Sequence, residues 1–121
     1  LWKKDASGAW VDRTIDMLAD NSGCILARKI LIADFNDDTY PDAYFSCSGF
    51  DADPFAGEAQ RILLSDPVTR KYKNTIVPVI GYAHGASAAD IDSDGKLDVV
   101  VADMRGNNSR LMQHHHTFTS A

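Results

Sequence analysis

Long apolar runs are missing from this chain: none approaches the ~18 residues that a membrane-spanning helix requires. Basic residues are in the minority, with 12 Lys and Arg against 17 Asp and Glu and a net charge of −5. That balance argues against nucleic acid as a partner and suits bound cations, because the acidic residues bunch in loops. No signal-peptide pattern is present, and the first residue is Leu1 rather than Met, which reads as a processed product or a fragment. There is no glycine-rich phosphate cradle, and Ser87 has no evident base or oxyanion partner. The chain is therefore read as non-catalytic.

Cysteine is scarce too: Cys24 and Cys47 only. If residues 34–42 join a hairpin, facing residue numbers sum to about 76, which puts Cys47 opposite Lys29. Cys24 would then lie five residues away, about 17 Å at ~3.3 Å per residue, whereas a disulfide needs Cα atoms within ~7 Å. Two unpaired thiols are expected, unless the turn at Asn21-Ser22-Gly23 takes Cys24 off the strand.

What is present is a repeat. ILIADFNDDTYPDAYFSCSGFD (30–51) lies over ASAADIDSDGKLDVVVADMRGN (86–107) without a gap, at an offset of 56 residues. Asp34, Asn36, Asp38 and Asp42 fall on Asp90, Asp92, Asp94 and Asp98. A second pattern follows each copy, and LWKKDASGAWVDRTI at the start of the chain shows it as well. Leu1-Trp2, Leu63-Leu64 and Leu111-Met112 correspond, as do Trp10, Tyr72 and Phe118.

The β-branched and aromatic content, with turns of Asp, Asn, Gly and Ser, predicts strands at about 26–33, 43–48, 60–65 and 71–77. The second copy predicts 86–90, 98–103, 109–113 and 117–120. Only residues 12–23 look briefly helical. DVVVAD, apolar at consecutive positions, suits a strand covered on both faces. Repeated four-stranded antiparallel units of this length predict an all-β chain of β-propeller blades. Half a blade and linker would occupy 1–23, a full blade 24–80 and a second blade 81–121. Two and a half blades cannot close a ring, so further blades of the same or neighbouring chains are expected partners.

Alternate side chains of each acidic loop can turn inward, as the oxygen sphere of Ca²⁺ demands. The first loop offers Asp34, Asn36, Asp38, the carbonyl of Tyr40, and Asp42. The second offers Asp90, Asp92, Asp94, the carbonyl of Lys96, and Asp98, with Gly95 permitting the sharp reversal. An EF-hand is excluded because Val101 stands where its bidentate Glu would be. Neither loop holds Cys or His, which disfavours soft metals, and Mg²⁺ prefers more water. Acidic hairpin turns without a metal are the competing reading. Two aligned copies favour two calcium sites, which would take the charge from −5 to −1.

These residues resemble the FG-GAP/VCBS repeats of integrin α-subunit heads and bacterial surface proteins, over about residues 25–113. HGASAADIDSDGKLDVVVAD matches the D-x-[DN]-x-D-G-x-x-D loop and its apolar strand. ARKILIADFNDDTYPDAYFSCSGFDADPFAGEAQRILLS resembles the bacterial branch, with Thr39 where the pattern has Gly. The resemblance implies structural calcium on the ten loop residues named above, an extracellular or cell-surface location, and adhesion or binding of a protein or carbohydrate. A self-assembling subunit joined through open blade edges is the second expectation. The propeller part of a secreted polysaccharide-acting enzyme is a third.

Other residues have plainer readings. His114-His115-His116 fills a turn position, and His84 is expected to pack at a strand entrance. Asp51, Asp53 and Glu58 suit a solvated acidic loop better than a further cation site. Trp2, Trp10, Tyr72 and Phe118 are expected in blade packing rather than as a sugar platform. Asn107-Asn108-Ser109 fits the N-glycosylation pattern, which has meaning only in a glycosylating compartment.

Overall fold

The computed structural model describes residues 1–106, 108–114 and 117–120, those beyond Asn108 by their backbone. Strands β1 (Trp2–Lys4) and β2 (Trp10–Asp12) form a two-stranded antiparallel sheet, followed by one turn of helix, α1 (Thr14–Met17). A four-stranded antiparallel sheet runs β3 (Ala27–Ala33), β4 (Asp42–Cys47), β5 (Glu58–Asp66), β6 (Lys71–Gly81) in spatial order. A second follows with β7 (Ala83–Ala89), β8 (Asp98–Asp103), β9 (Ser109–His114) and β10 (Thr117–Ser120). Both are simple meanders, and among the described residues neither closes on itself. Among the described residues no helix is long and apolar enough to cross a membrane.

The two meanders pack face to face over one core. Tyr44, Ile62 and Val77 from the first meet Ala83, Val99 and Val101 from the second, with Phe35 beside them. Alternation in the strands explains this: Leu31, Tyr44, Ile62 and Thr75 are cross-strand partners, so they share a face. DVVVAD is covered on one face only. Val99 and Val101 are buried, whereas Val100 is 42% exposed, because among the described residues no third sheet lies over it.

β6 continues past the predicted end at 77, through Pro78. It is an edge strand, and a register shift between Ala59 and Gln60 absorbs the proline. Trp2 and Trp10 are about two-thirds exposed, at 64% and 63%, instead of packed in a blade. Their hairpin is a separate two-stranded sheet, and Lys4 Nζ sits 5.4 Å over the Trp10 ring.

The cysteines correct the sequence expectation. Cys24 and Cys47 form a disulfide with Cα atoms 5.0 Å apart. The hairpin register sums to 75 rather than 76 (Ile30 faces Phe45), and a bulge brings Ala27 opposite Cys47. Gly23 and Cys24 both take positive φ, 76° and 55°, which turns the chain off the strand line and back onto β4. A disulfide points to an oxidising environment.

Tyr44 is fully buried, and its hydroxyl has no hydrogen-bond partner among the described residues. Burial pushes its ionisation well above the usual phenol range. At the far end of the core, Asp103 accepts from the Tyr82 amide at 3.1 Å and from Arg105 Nη2 at 2.8 Å. The Arg105 guanidinium holds that carboxyl below its ordinary range.

Two outcomes follow for stability. Reducing Cys24–Cys47, which spans 23 residues, should cost about 3 kcal/mol in chemical denaturation, the entropy of the loop it closes. Tyr44→Phe should leave stability unchanged or raise it by about 1 kcal/mol, since it removes an unsatisfied buried hydroxyl. A loss of more than 2 kcal/mol would mean the hydroxyl has a partner.

Candidate metal centre

Both acidic loops bridge the first two strands of a four-stranded sheet, β3 to β4 and β7 to β8. They share one internal architecture. Asp34 Oδ1 accepts from the Asp38 amide at 3.1 Å and Oδ2 from the Thr39 amide at 2.7 Å. Asp90 does the same, accepting from Asp94 at 3.1 Å and Gly95 at 2.9 Å. The third position accepts from the fifth: Asn36 Oδ1 from Asp38 at 3.2 Å, Asp92 Oδ1 from Asp94 at 3.2 Å. The fifth accepts from the seventh: Asp38 from Tyr40 at 2.8 Å, Asp94 from Lys96 at 2.9 Å.

The ninth position closes each loop. Asp42 Oδ2 accepts from the Phe35 amide at 2.7 Å, and Asp98 Oδ2 from the Ile91 amide at 2.9 Å. These two carboxylates are the buried ones, 1% and 0% exposed. Burial pushes the Asp42 carboxyl above its ordinary range, and amide bonds from Ser65 and Phe35 pull it part of the way back. The loop backbones match as well. Asp37 and Ser93 have φ of 60° and 65°, and Thr39 and Gly95 have 70° and 87°. Thr39 therefore occupies the left-handed conformation that its branched side chain resists.

In the second loop, carboxylate oxygens of Asp90, Asp92 and Asp98 lie within 4.8 Å of one another. Oxygens on a coordination sphere of ~2.4 Å radius lie at most about 4.8 Å apart, so this trio fits one hard cation. Asp94 is not in the trio. Among the described residues, the first-loop carboxylates Asp34, Asp38 and Asp42 do not draw together in this way, and Asn36 holds an aspartate's place. The Asn36 amide nitrogen instead donates to Asp38 Oδ2 at 3.1 Å. Like charges at such distances repel by about 1 kcal/mol per pair in water and several-fold more at protein-like dielectric.

The Lys96 ammonium, carried by the second loop, reaches across to the first. Lys96 Nζ pairs with Asp37 Oδ2 at 2.6 Å, which ties the two loops to each other. Asp37 has no ligand role in the repeat, and its counterpart is Ser93, so spacing could not single it out. Ser65, in β5, also went unforeseen: its amide donates to Asp42 Oδ1 at 2.7 Å and its hydroxyl to Asp38 at 3.4 Å. Tyr40 is half exposed and the Lys96 side chain is engaged by Asp37; only the carbonyls of these two residues were expected in the sphere.

The remaining polar candidates have structural work. Asp51 accepts from Arg28 Nη2 at 2.8 Å and from the Tyr82 hydroxyl, and those bonds hold its carboxyl below the ordinary range. Glu58 accepts from the Gly49 amide at 3.0 Å. His84 packs 4.8 Å from the Tyr82 ring. His115, His116 and Asn107 lie outside the described residues, as do the side chains of His114 and Phe118.

Comparison with protein-family models, curated proteins and solved structures returns no match for this chain.

The strained position gives a direct check. Thr39→Gly should stabilise the protein by about 1 kcal/mol in denaturant titration by relieving the left-handed φ. Gly95→Thr should cost a similar amount. A Cβ at Gly95 would meet nothing within 4 Å, so backbone conformation alone sets that cost.

Proposed function

We infer that the chain is a calcium-binding repeat module of an extracellular or cell-surface protein. In this reading its two four-stranded sheets are successive FG-GAP/VCBS-like propeller blades, serving adhesion or ligand binding. The observation that carries the reading is the convergence of Asp90, Asp92 and Asp98 on a volume of cation size. The matching hydrogen-bond pattern of the first loop supports a second site there, weakened by Asn36 and by the strain at Thr39. The Cys24–Cys47 disulfide suits an oxidising compartment.

Calcium would act structurally. Asp90, Asp92 and Asp98 would hold it in the second loop, and Asp34, Asn36, Asp38 and Asp42 in the first. A bound divalent cation offsets the repulsion among carboxylates that the fold forces together, and so braces the hairpin turns that open each sheet. The charge, the oxygen-only donor set and the absence of Cys or His from both loops favour calcium over a transition metal.

Calorimetric titration with CaCl₂ tests this. Two binding events are expected, with the second-loop site the tighter. Asp90→Asn should abolish that event and leave the other. Saturation at 100 times the dissociation constant of a site should stabilise the fold by about 2.7 kcal/mol. No heat, or equal binding of MgCl₂, would contradict the reading.

A further inference from the structure

Three unpaired cations share one cleft on this acidic chain. The cleft, of about 280 Å³, opens between the β1–β2 hairpin with α1 on one side and the β5–β6 turn on the other, and Lys3, Arg70 and Lys71 line it. An adjoining cleft of about 330 Å³ shares those cations and adds Arg13. The acidic side chains of the two clefts are already engaged. Asp16 pairs with Arg13 at 2.8 Å, and Asp66 accepts from the Val68 and Thr69 amides and the Thr69 hydroxyl of its own turn. Lys3, Arg70 and Lys71 are exposed and form no ion pair among the described residues.

Tertiary contacts hold the walls of the cleft in place. Leu18 bridges Tyr72 in parallel, and Asn74 Nδ2 donates to the carbonyls of Asp20 and Ser22 at 3.2 and 2.9 Å. Arg70 carries a second, independent signal. It ends the four-residue loop between Asp66 and Lys71 with a φ of 57°, where glycine is unstrained and a long side chain is not. Its amide donates to the Asp66 carbonyl at 2.8 Å, a bond that glycine would make equally well. A strained residue whose side chain has no partner in the fold points to a role outside the fold.

The lining narrows the ligand. Unpaired cations call for an anion. Tyr40, half exposed, and Tyr72 bring aromatic rings, with Pro41 and Pro67 beside them, a lining that suits a compact ring with an apolar face. A peptide would add to a free strand edge, but the β6 edge at Tyr72 is already taken by Leu18. A nucleic acid would meet a chain of net charge −5. We propose that this cleft binds a sugar bearing a carboxylate or sulfate group, with Lys3, Arg70 and Lys71 on the anion and Tyr40 against the sugar ring. The site rests on the ligand-binding role inferred above but not on calcium, since none of the loop carboxylates lines it.

Calorimetric titration of the whole chain with a uronate hexasaccharide and with a sulfated one tests the proposal and tells the two anions apart. At least one should bind, and markedly more weakly when NaCl rises from about 50 to about 500 mM. Arg70→Gly and Lys71→Gln should each weaken binding about tenfold, the loss of a charge-assisted contact, whereas Lys29→Ala on β3 should leave it unchanged. Arg70→Gly should also raise the denaturation midpoint by relieving the positive φ. A lowered midpoint would assign Arg70 to the fold and overturn the proposal. So would equal losses in Lys29→Ala, equal binding of an uncharged glucose hexamer, or binding of oligoglutamate as tight as that of the sugars. Silence from both acidic sugars at about 1 mM overturns it as well. Titrations in CaCl₂ and in EDTA separate the two readings. Sugar binding without any calcium heat contradicts the calcium sites alone, and calcium heat without sugar binding contradicts this cleft alone.

Discussion

At the mouth of each four-stranded sheet a buried aspartate accepts the amide of a residue seven positions earlier. Asp42 takes the Phe35 amide and Asp98 the Ile91 amide, and each carboxylate sits at the first residue of its strand. The bond fixes where the loop ends and the strand begins, and so which residues face the core. Shifting the strand by one residue would turn Val99 and Val101 outward and Val100 inward. The cost is a charged group out of water, which the fold meets with backbone donors: two amides for Asp42, from Phe35 and Ser65. The rest of each loop curls around this clamp and brings further carboxylates alongside it. The crowding that gives the second loop its cation-sized volume follows from the way the hairpin is closed.

The two loops show how far one design tolerates variation. In the second, Gly95 supplies the left-handed turn without a side chain, and Asp90, Asp92 and Asp98 converge. In the first, Thr39 takes the same conformation under strain, and Asn36 spends its amide on Asp38. Ser65 reaches in from β5 to steady that loop, and the Lys96–Asp37 pair links it to its counterpart. The first loop thus draws on neighbours for part of its order.

Strand positions were legible because alternation and turn residues are local, and the repeat let one copy check the other. The loops were legible for the same reason: their internal hydrogen bonds run between residues two to seven apart, so spacing alone encodes them. Contacts made by the third dimension were not. The disulfide depends on two positive-φ residues and a bulge, none of which a straight strand extrapolation contains. The exposure of Val100 depends on which sheets are neighbours, and a run of three valines reads the same with or without one. Asp37 and Ser65 became visible only once separate segments lay side by side.

The central claim is that the clamped carboxylates surround a cation, and anomalous scattering from a crystal grown with a lanthanide in place of calcium tests it most directly. The reading expects a strong peak among the oxygens of Asp90, Asp92 and Asp98, at about 2.3–2.6 Å from each, and a weaker one in the first loop. Empty loops, with lanthanide bound elsewhere or nowhere, would contradict it. The repeated aspartates would then be turn formers alone.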